Sequence, residues 1–149
     1  MSRIVCDSNC LISGLLWKDG PPGQILERVE DNRDRLFVIN EILEEISQVI
    51  QRPKFKRALA KSSITPVEII EWICHHALLV EASMLEKCIV ADDPDDDMVL
   101  ACAETVRPDV IINGDRHLLD IRLFKGIPIL SSRQYLDACL ENKQDLRSL

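Results

Sequence analysis

Five aspartates fall within six positions of one segment, Asp92, Asp93, Asp95, Asp96 and Asp97, directly ahead of the apolar run "MVLACA". Carboxylates that close repel one another and drive up each other's pKa values unless a cation intervenes. The chemistry such crowding suits is the binding of a divalent metal by oxygen ligands. Two further aspartates stand just past apolar runs: Asp7 after "IVC" and Asp115 after "VIING". A lone aspartate after a strand is ordinarily a turn or cap residue; two of them with an acidic helix start call for more. A third source of acid is the segment 41–51, with Glu41, Glu44 and Glu45.

Helical phase separates these acids. At about 100° per residue, the apolar stripe of 41–51 centres between Ile42 and Ile46. Glu45 flanks that stripe, while Glu41 and Glu44 turn towards water. Applied to "DPDDDMVLACA", the same phase puts Asp95 and Asp96 on the side of Val99, Ala103 and Val106, with Asp97 further out. One of these aspartates is expected to cap the helix, where the positive end of the dipole favours it. The spacing Asp93, Asp95, Asp97 and Glu104 also imitates a calcium-binding EF-hand loop. That reading fails, because Met98 occupies the position that needs glycine and the following residues belong in a buried helix.

Strands that end at the same edge of a sheet would position such acids. The periodicity predicts strands in "SRIVCD", "RLFVIN", "LLVE", "DVIIN" and "IPIL". Between them it predicts helices over 20–32, with Ile25, Leu26 and Val29 on one side, and over 41–52. Further helices follow in 52–63 from Lys54 or Phe55, and over 65–77, 93–106, 117–121 and 131–143. Thr65 with Glu68 three residues later marks the start of one, and the last is expected to be Ser-capped. Alternating strands and helices imply an α/β fold with a mostly parallel sheet covered on both faces. Ligand sites in such sheets lie beyond the carboxyl ends of the strands, where the strand order reverses.

One domain over residues 1–149 is the expectation, with 145–149 as a frayed tail. An apolar fraction of 46% beside a charged fraction of 29% is ordinary for a folded chain. No apolar run reaches the roughly 20 residues of a membrane span, and no secretory leader pattern opens the chain. A cytoplasmic location is therefore expected. The six cysteines show no CxxC spacing and read as small buried hydrophobes rather than a disulfide or zinc framework. A net charge of −7 speaks against nucleic-acid binding, unless the acids converge on metal. The basic stretch "RPKFKRALAK" is either a guide for a polyanion or a solvated face balancing the acids.

Four segments, in order, resemble the PIN domain family: "IVCDSN" at 4–9, "EILEEISQVIQRPKF" at 41–55, "DPDDDMVLACAE" at 93–104 and "VIINGDRHLL" at 110–119. They look most like the bacterial branch of VapC-like toxin components of toxin–antitoxin systems, and the likeness continues through "GIPILSSRQYL" at 126–136. The resemblance implies a three-layer α/β/α domain and a metal-dependent ribonuclease. Its acids match Asp7, Glu45, Asp96 (with Asp97 as the competing alignment) and Asp115. Ser8 stands where threonine is commoner, and Asn113 where threonine often precedes the glycine.

The implied cofactor is Mg²⁺ or Mn²⁺, one ion or two, held by Asp7, Asp96 and Asp115. Glu45 would be a further ligand or a base. Ser8 and Asn9 would orient Asp7 or bind a phosphate, or else are turn residues; Asn113 and Arg116 would support the site or touch substrate. Implied partners are an RNA substrate, a second copy of the chain and an antitoxin protein. The scarcity of aromatic residues, two Trp, one Tyr and three Phe, argues against sequence-reading of RNA by stacking. The alternatives are a catalytically weak RNA- or protein-binding module of the same fold and, further off, a phosphatase of the haloacid dehalogenase kind. The phosphatase would need a DxD signature that Asp7-Ser8-Asn9 lacks.

Overall fold

The computed structural model describes residues 1–81 and 94–147, without the side chains of 94–97, 117 and 142–147. In chain order the elements are β1 (Ser2–Cys6), α1 (Ser8–Leu16), α2 (Pro21–Glu30), β2 (Asp34–Ile39), α3 (Asn40–Val49), α4 (Pro53–Lys61), α5 (Pro66–His76) and β3 (Ala77–Val80). Then come α6 (Pro94–Val106), β4 (Val110–Ile112), α7 (Arg116–Ile121), β5 (Leu123–Phe124), β6 (Ile127–Leu130) and α8 (Ser132–Arg147). The sheet runs β3-β2-β1-β4-β6-β5, parallel throughout except for the β5–β6 hairpin. The result is the three-layer α/β/α arrangement expected from the alternation.

The central strands are buried on both faces, which is why they read as near-continuous apolar runs. Ile4, Val5 and Cys6 of β1 are fully buried, as are Ile111 and Ile112 of β4. The chain lays β2 and β3 on one side of β1, then crosses back to lay β4 on the other. The strand order therefore reverses between β1 and β4. Cys6 pairs with Ile112 there, and the Asp7 amide donates to the Ile112 carbonyl at 3.3 Å. That register delivers Asp7 and the 113–115 loop to one edge of the sheet.

Three elements differ from the sequence expectation. Residues 8–16, given no element from periodicity, form α1, with Leu11, Ile12 and Leu15 in the core. Leu123 and Phe124 form a strand too short to show a period. Its turn to β6 uses Lys125 at φ 50° and Gly126 at φ 84°, two successive left-handed residues that suit a tight hairpin. Finally, α8 continues to Arg147, past Asp145; residues 148–149 lie outside the described set. Its start matches the expectation: Ser131 Oγ accepts from the Gln134 amide, and Gln134 Oε1 accepts from the Ser131 amide. Among the described residues no helix is long and apolar enough to cross a membrane.

Two polar clasps hold the layers. Arg28 of α2 donates to buried Asp34 at the start of β2, through Nε at 2.8 Å and Nη2 at 3.4 Å. Arg3 of β1 closes the end of α6. Its guanidinium donates to the carbonyls of Val106 at 2.8 Å and Arg107 at 3.2 Å and lies 5.0 Å from the Phe37 ring centroid. Its backbone amide donates to Asp109 Oδ2 at 2.8 Å. A cation on exposed helix-end carbonyls also meets the negative end of the helix dipole. Because α6 carries Asp95–Asp97 at its other end, Arg3 helps fix where those aspartates start. Arg3→Ala is expected to cost about 1–2 kcal/mol of stability, read from the urea midpoint at unchanged slope.

Candidate active site

The carboxyl end of β1 runs into α1 without a loop. Asp7 is the N-cap: its backbone is extended, and its Oδ1 accepts from the Cys10 amide at 2.8 Å. The Gly114 amide also favours its charged form. The residue is only 7% exposed. Burial pushes its carboxyl up from 3.8 to about 6, the amides of Cys10 and Gly114 pull it down, and the charge of Asp115 pushes it up further. The cap role usual for a strand-end aspartate is thus present, but a cap needs neither burial nor a second carboxylate beside it.

The first turn of α1 places Ser8 inward and Asn9 outward. Ser8 is 2% exposed, and its Oγ donates to Glu45 Oε2 at 2.9 Å. Ser8 therefore tethers Glu45, a contact outside the sequence expectation that it would orient Asp7, bind a phosphate or serve as a turn residue; the helical turn aims its hydroxyl at α3. Both residues belong to a helix rather than a free turn. On α3, Glu45 is half-buried while Glu41 and Glu44 are exposed, as the helical phase predicts. The apolar stripe of Ile42, Ile46 and Val49 is buried and locks that rotation.

Past β4, Asn113 is fully buried, and its Oδ1 accepts from the Asp115 amide at 2.6 Å. That donor fixes which way the side-chain amide faces. Asn113 Nδ2 is then left buried with no hydrogen-bond partner among the described residues. Asp115 is half-buried and immediately precedes α7, its carbonyl accepting from the Leu119 amide at 3.0 Å. Arg116, the first residue of α7, is exposed.

The side chains of Asp96 and its competitor Asp97 lie outside the described residues, as does that of His117. Behind them, α6 buries Val99, Leu100, Cys102, Ala103 and Val106. Among the described residues no three His, Cys, Asp or Glu side chains gather closely enough to hold an ion by themselves. The donor chemistry nevertheless fits a hard divalent cation. The groups at the strand ends are carboxylates, and Asp115 raises the cost of charging buried Asp7, a cost that a divalent cation there would offset. Softer ligation is disfavoured, because the hydrogen bond with Cys10 and then burial push the Cys6 thiol well above its ordinary range and keep it neutral. Buried Cys102 is pushed up to about 12 by burial and then by Glu41. Of the remaining described cysteines, Cys10 is buried, Cys139 is half-buried and Cys74 is exposed, against the expectation of burial for that last one.

The PIN domain family model matches residues 3–117, which takes in β1 through the start of α7. The chain belongs to the PIN domain family. Its members form a superfamily of nucleases that generally depend on metal, which supports a nuclease-like role for this protein. No curated protein matches the chain. The matched span contains every sequence-predicted site residue.

The raised carboxyl of Asp7 has a consequence for stability. The unfolded chain loses that proton near 3.8, the folded chain near 6. The folded state therefore holds the extra proton between those values, and stability falls as pH rises through that window. Asp7→Asn keeps a capping oxygen but never ionises. Without metal, the variant is expected to match the wild type near pH 4. Above pH 6 it should exceed the wild type by on the order of 2–3 kcal/mol. Urea unfolding of both proteins at a series of pH values in EDTA measures the difference.

Proposed function

We propose that this PIN domain is a metal-dependent endoribonuclease that cleaves RNA phosphodiester bonds with an activated water. The observation that carries the reading is the pairing of Asp7 and Asp115 across the β1/β4 switch point. There a buried carboxyl is held near a second one at the place where an α/β sheet presents its ligand site. Asp7, Asp115 and Asp96 (Asp97 as the alternative) would hold Mg²⁺ or Mn²⁺, with Glu45 as a further ligand or as the base that takes a proton from water.

A divalent cation bound there supplies charge neutralisation and polarisation of a phosphate oxygen. The rest falls to the chain. The amides of Cys10 and Gly114 fix the Asp7 carboxyl, and the Ser8 hydroxyl holds Glu45. The Asn113 amide oxygen holds the Asp115 backbone. Positioned groups of this kind lower a barrier by removing the need to reorganise during reaction. Exposed Arg116 would meet substrate phosphate. The family resemblance extends the proposal to the toxin component of a toxin–antitoxin pair, acting in the cytoplasm as a homodimer restrained by an antitoxin protein.

A labelled single-stranded RNA incubated with the protein is expected to be cut with Mg²⁺ or Mn²⁺ and left whole in EDTA. Asp7→Asn and Asp115→Asn should each slow cutting by about a hundredfold or more, and Ser8→Ala by about tenfold through the loosened Glu45. RNA that is bound but never cut would instead identify a binding module. Phosphate released from small monoesters with RNA left whole would indicate a phosphatase.

A further inference from the structure

Trp17, the residue after α1, keeps 43% of its surface in contact with water. Its surroundings are specific. The Lys54 ammonium sits 5.5 Å from the Trp17 ring centroid and 5.5 Å from that of Phe55. The Trp17 and Phe55 rings lie 6.2 Å apart with a 40° tilt. Phe55 is buried and anchors the start of α4. The arrangement is an open indole with an apolar backing and one cation over it.

The backbone that carries the indole is also held in place. The Trp17 amide donates to the Ser13 carbonyl at 2.8 Å, and the Gly20 amide donates to the Trp17 carbonyl at 3.2 Å. Gln24 Nε2 closes the same turn on the Asp19 carbonyl at 3.1 Å. A Cβ at Gly23 would stand 2.3 Å from the Lys18 carbonyl oxygen, so α2 approaches this turn too closely for any side chain there. A large apolar ring fixed in water on an ordered turn gains nothing by burial; a ligand that covers it would.

Its place relative to the carboxylates suggests the ligand. Helix α1 starts beside Asp7 and ends beside Trp17, ten residues later, a span of about 15 Å at 1.5 Å per residue. Ser8 meets α3 at one end, and Trp17 meets α4 at the other. A stacked strand advances about 3.4 Å per nucleotide, so the ring stands roughly four nucleotides from Asp7, fewer if the strand is extended. Exposed Lys56, Arg57 and Lys61 continue the positive surface along α4.

We propose that Trp17, with Lys54 over its ring, is a stacking subsite for one base of a single-stranded RNA whose cut bond lies at the carboxylate site. This rests on the ribonuclease reading above and gives that substrate a second point of attachment. Stacking accepts any base, because each has a π-face. The Lys54 ammonium would leave the ring for the adjoining phosphate as the base arrives. The subsite therefore sets where the strand is held, not which sequence is chosen.

Trp72→Phe leaves Trp17 as the only tryptophan. In that background, an oligouridylate of about ten nucleotides, with Ca²⁺ replacing Mg²⁺, should quench tryptophan emission at the concentrations where labelled RNA shows binding by anisotropy. Trp17→Ala should weaken binding about tenfold and Trp17→Phe restore most of it. An abasic position about four nucleotides from the cut bond should cost as much as Trp17→Ala without adding to it. Lys54→Ala should lower the salt slope of log K by about 0.7. Emission unmoved at saturating RNA, or Trp17→Ala binding as well as the wild type, would overturn the subsite. Failure of the wild type to bind or cut any RNA would remove the ribonuclease reading itself, and this inference with it.

Discussion

A carboxyl taken out of water beside another carboxyl governs this protein's design. Asp7 is buried at the end of the central strand, with Asp115 adding to the electrostatic cost of its charge. Nothing in the packing requires an acid there: a neutral asparagine would cap α1 as well and without the desolvation penalty. A fold that keeps the acid holds an unfavourable charge in readiness for something positive. The switch between β1 and β4 makes this placement possible, since it brings two strand ends that are far apart in sequence to one edge.

The surrounding hydrogen bonds serve that pair rather than the general stability of the domain. Backbone amides steady Asp7, a serine hydroxyl steadies Glu45, and an asparagine amide steadies the loop that carries Asp115. Each holds a group near the sheet edge in one orientation. Asn113 leaves a buried Nδ2 without a partner among the described residues, a cost that an active site tolerates more readily than a core does. The clasps that secure the fold, Arg28 on Asp34 and Arg3 on the end of α6, sit near the starts of β2 and β1, away from the carboxylates.

Much of this was legible in the residues. The strands announce themselves because burial on both faces leaves little room for polar side chains. Glu45 could be separated from Glu41 and Glu44 by helical phase alone, since the apolar stripe of α3 fixes its rotation. Helix α1 was missed because its apolar residues follow those of β1 after a single aspartate. Asp7 is itself the start signal, but an aspartate after a strand is as ordinary in a turn as at a helix cap. The hairpin at Lys125–Gly126 was missed because a two-residue strand has no period. The Ser8–Glu45 contact joins residues 37 positions apart and follows from how α1 packs on α3. Trp17 under Lys54 likewise needs α1 and α4 to meet, and no local pattern encodes that.

The most direct test is anomalous diffraction from a crystal soaked in Mn²⁺. The account predicts a strong peak within coordination distance of both the Asp7 and Asp115 carboxylates, about 2.1 Å from the nearest oxygens, and its absence in an Asp7→Asn crystal. A wild-type crystal with no manganese between those two strand ends, or with the ion bound elsewhere, would contradict it.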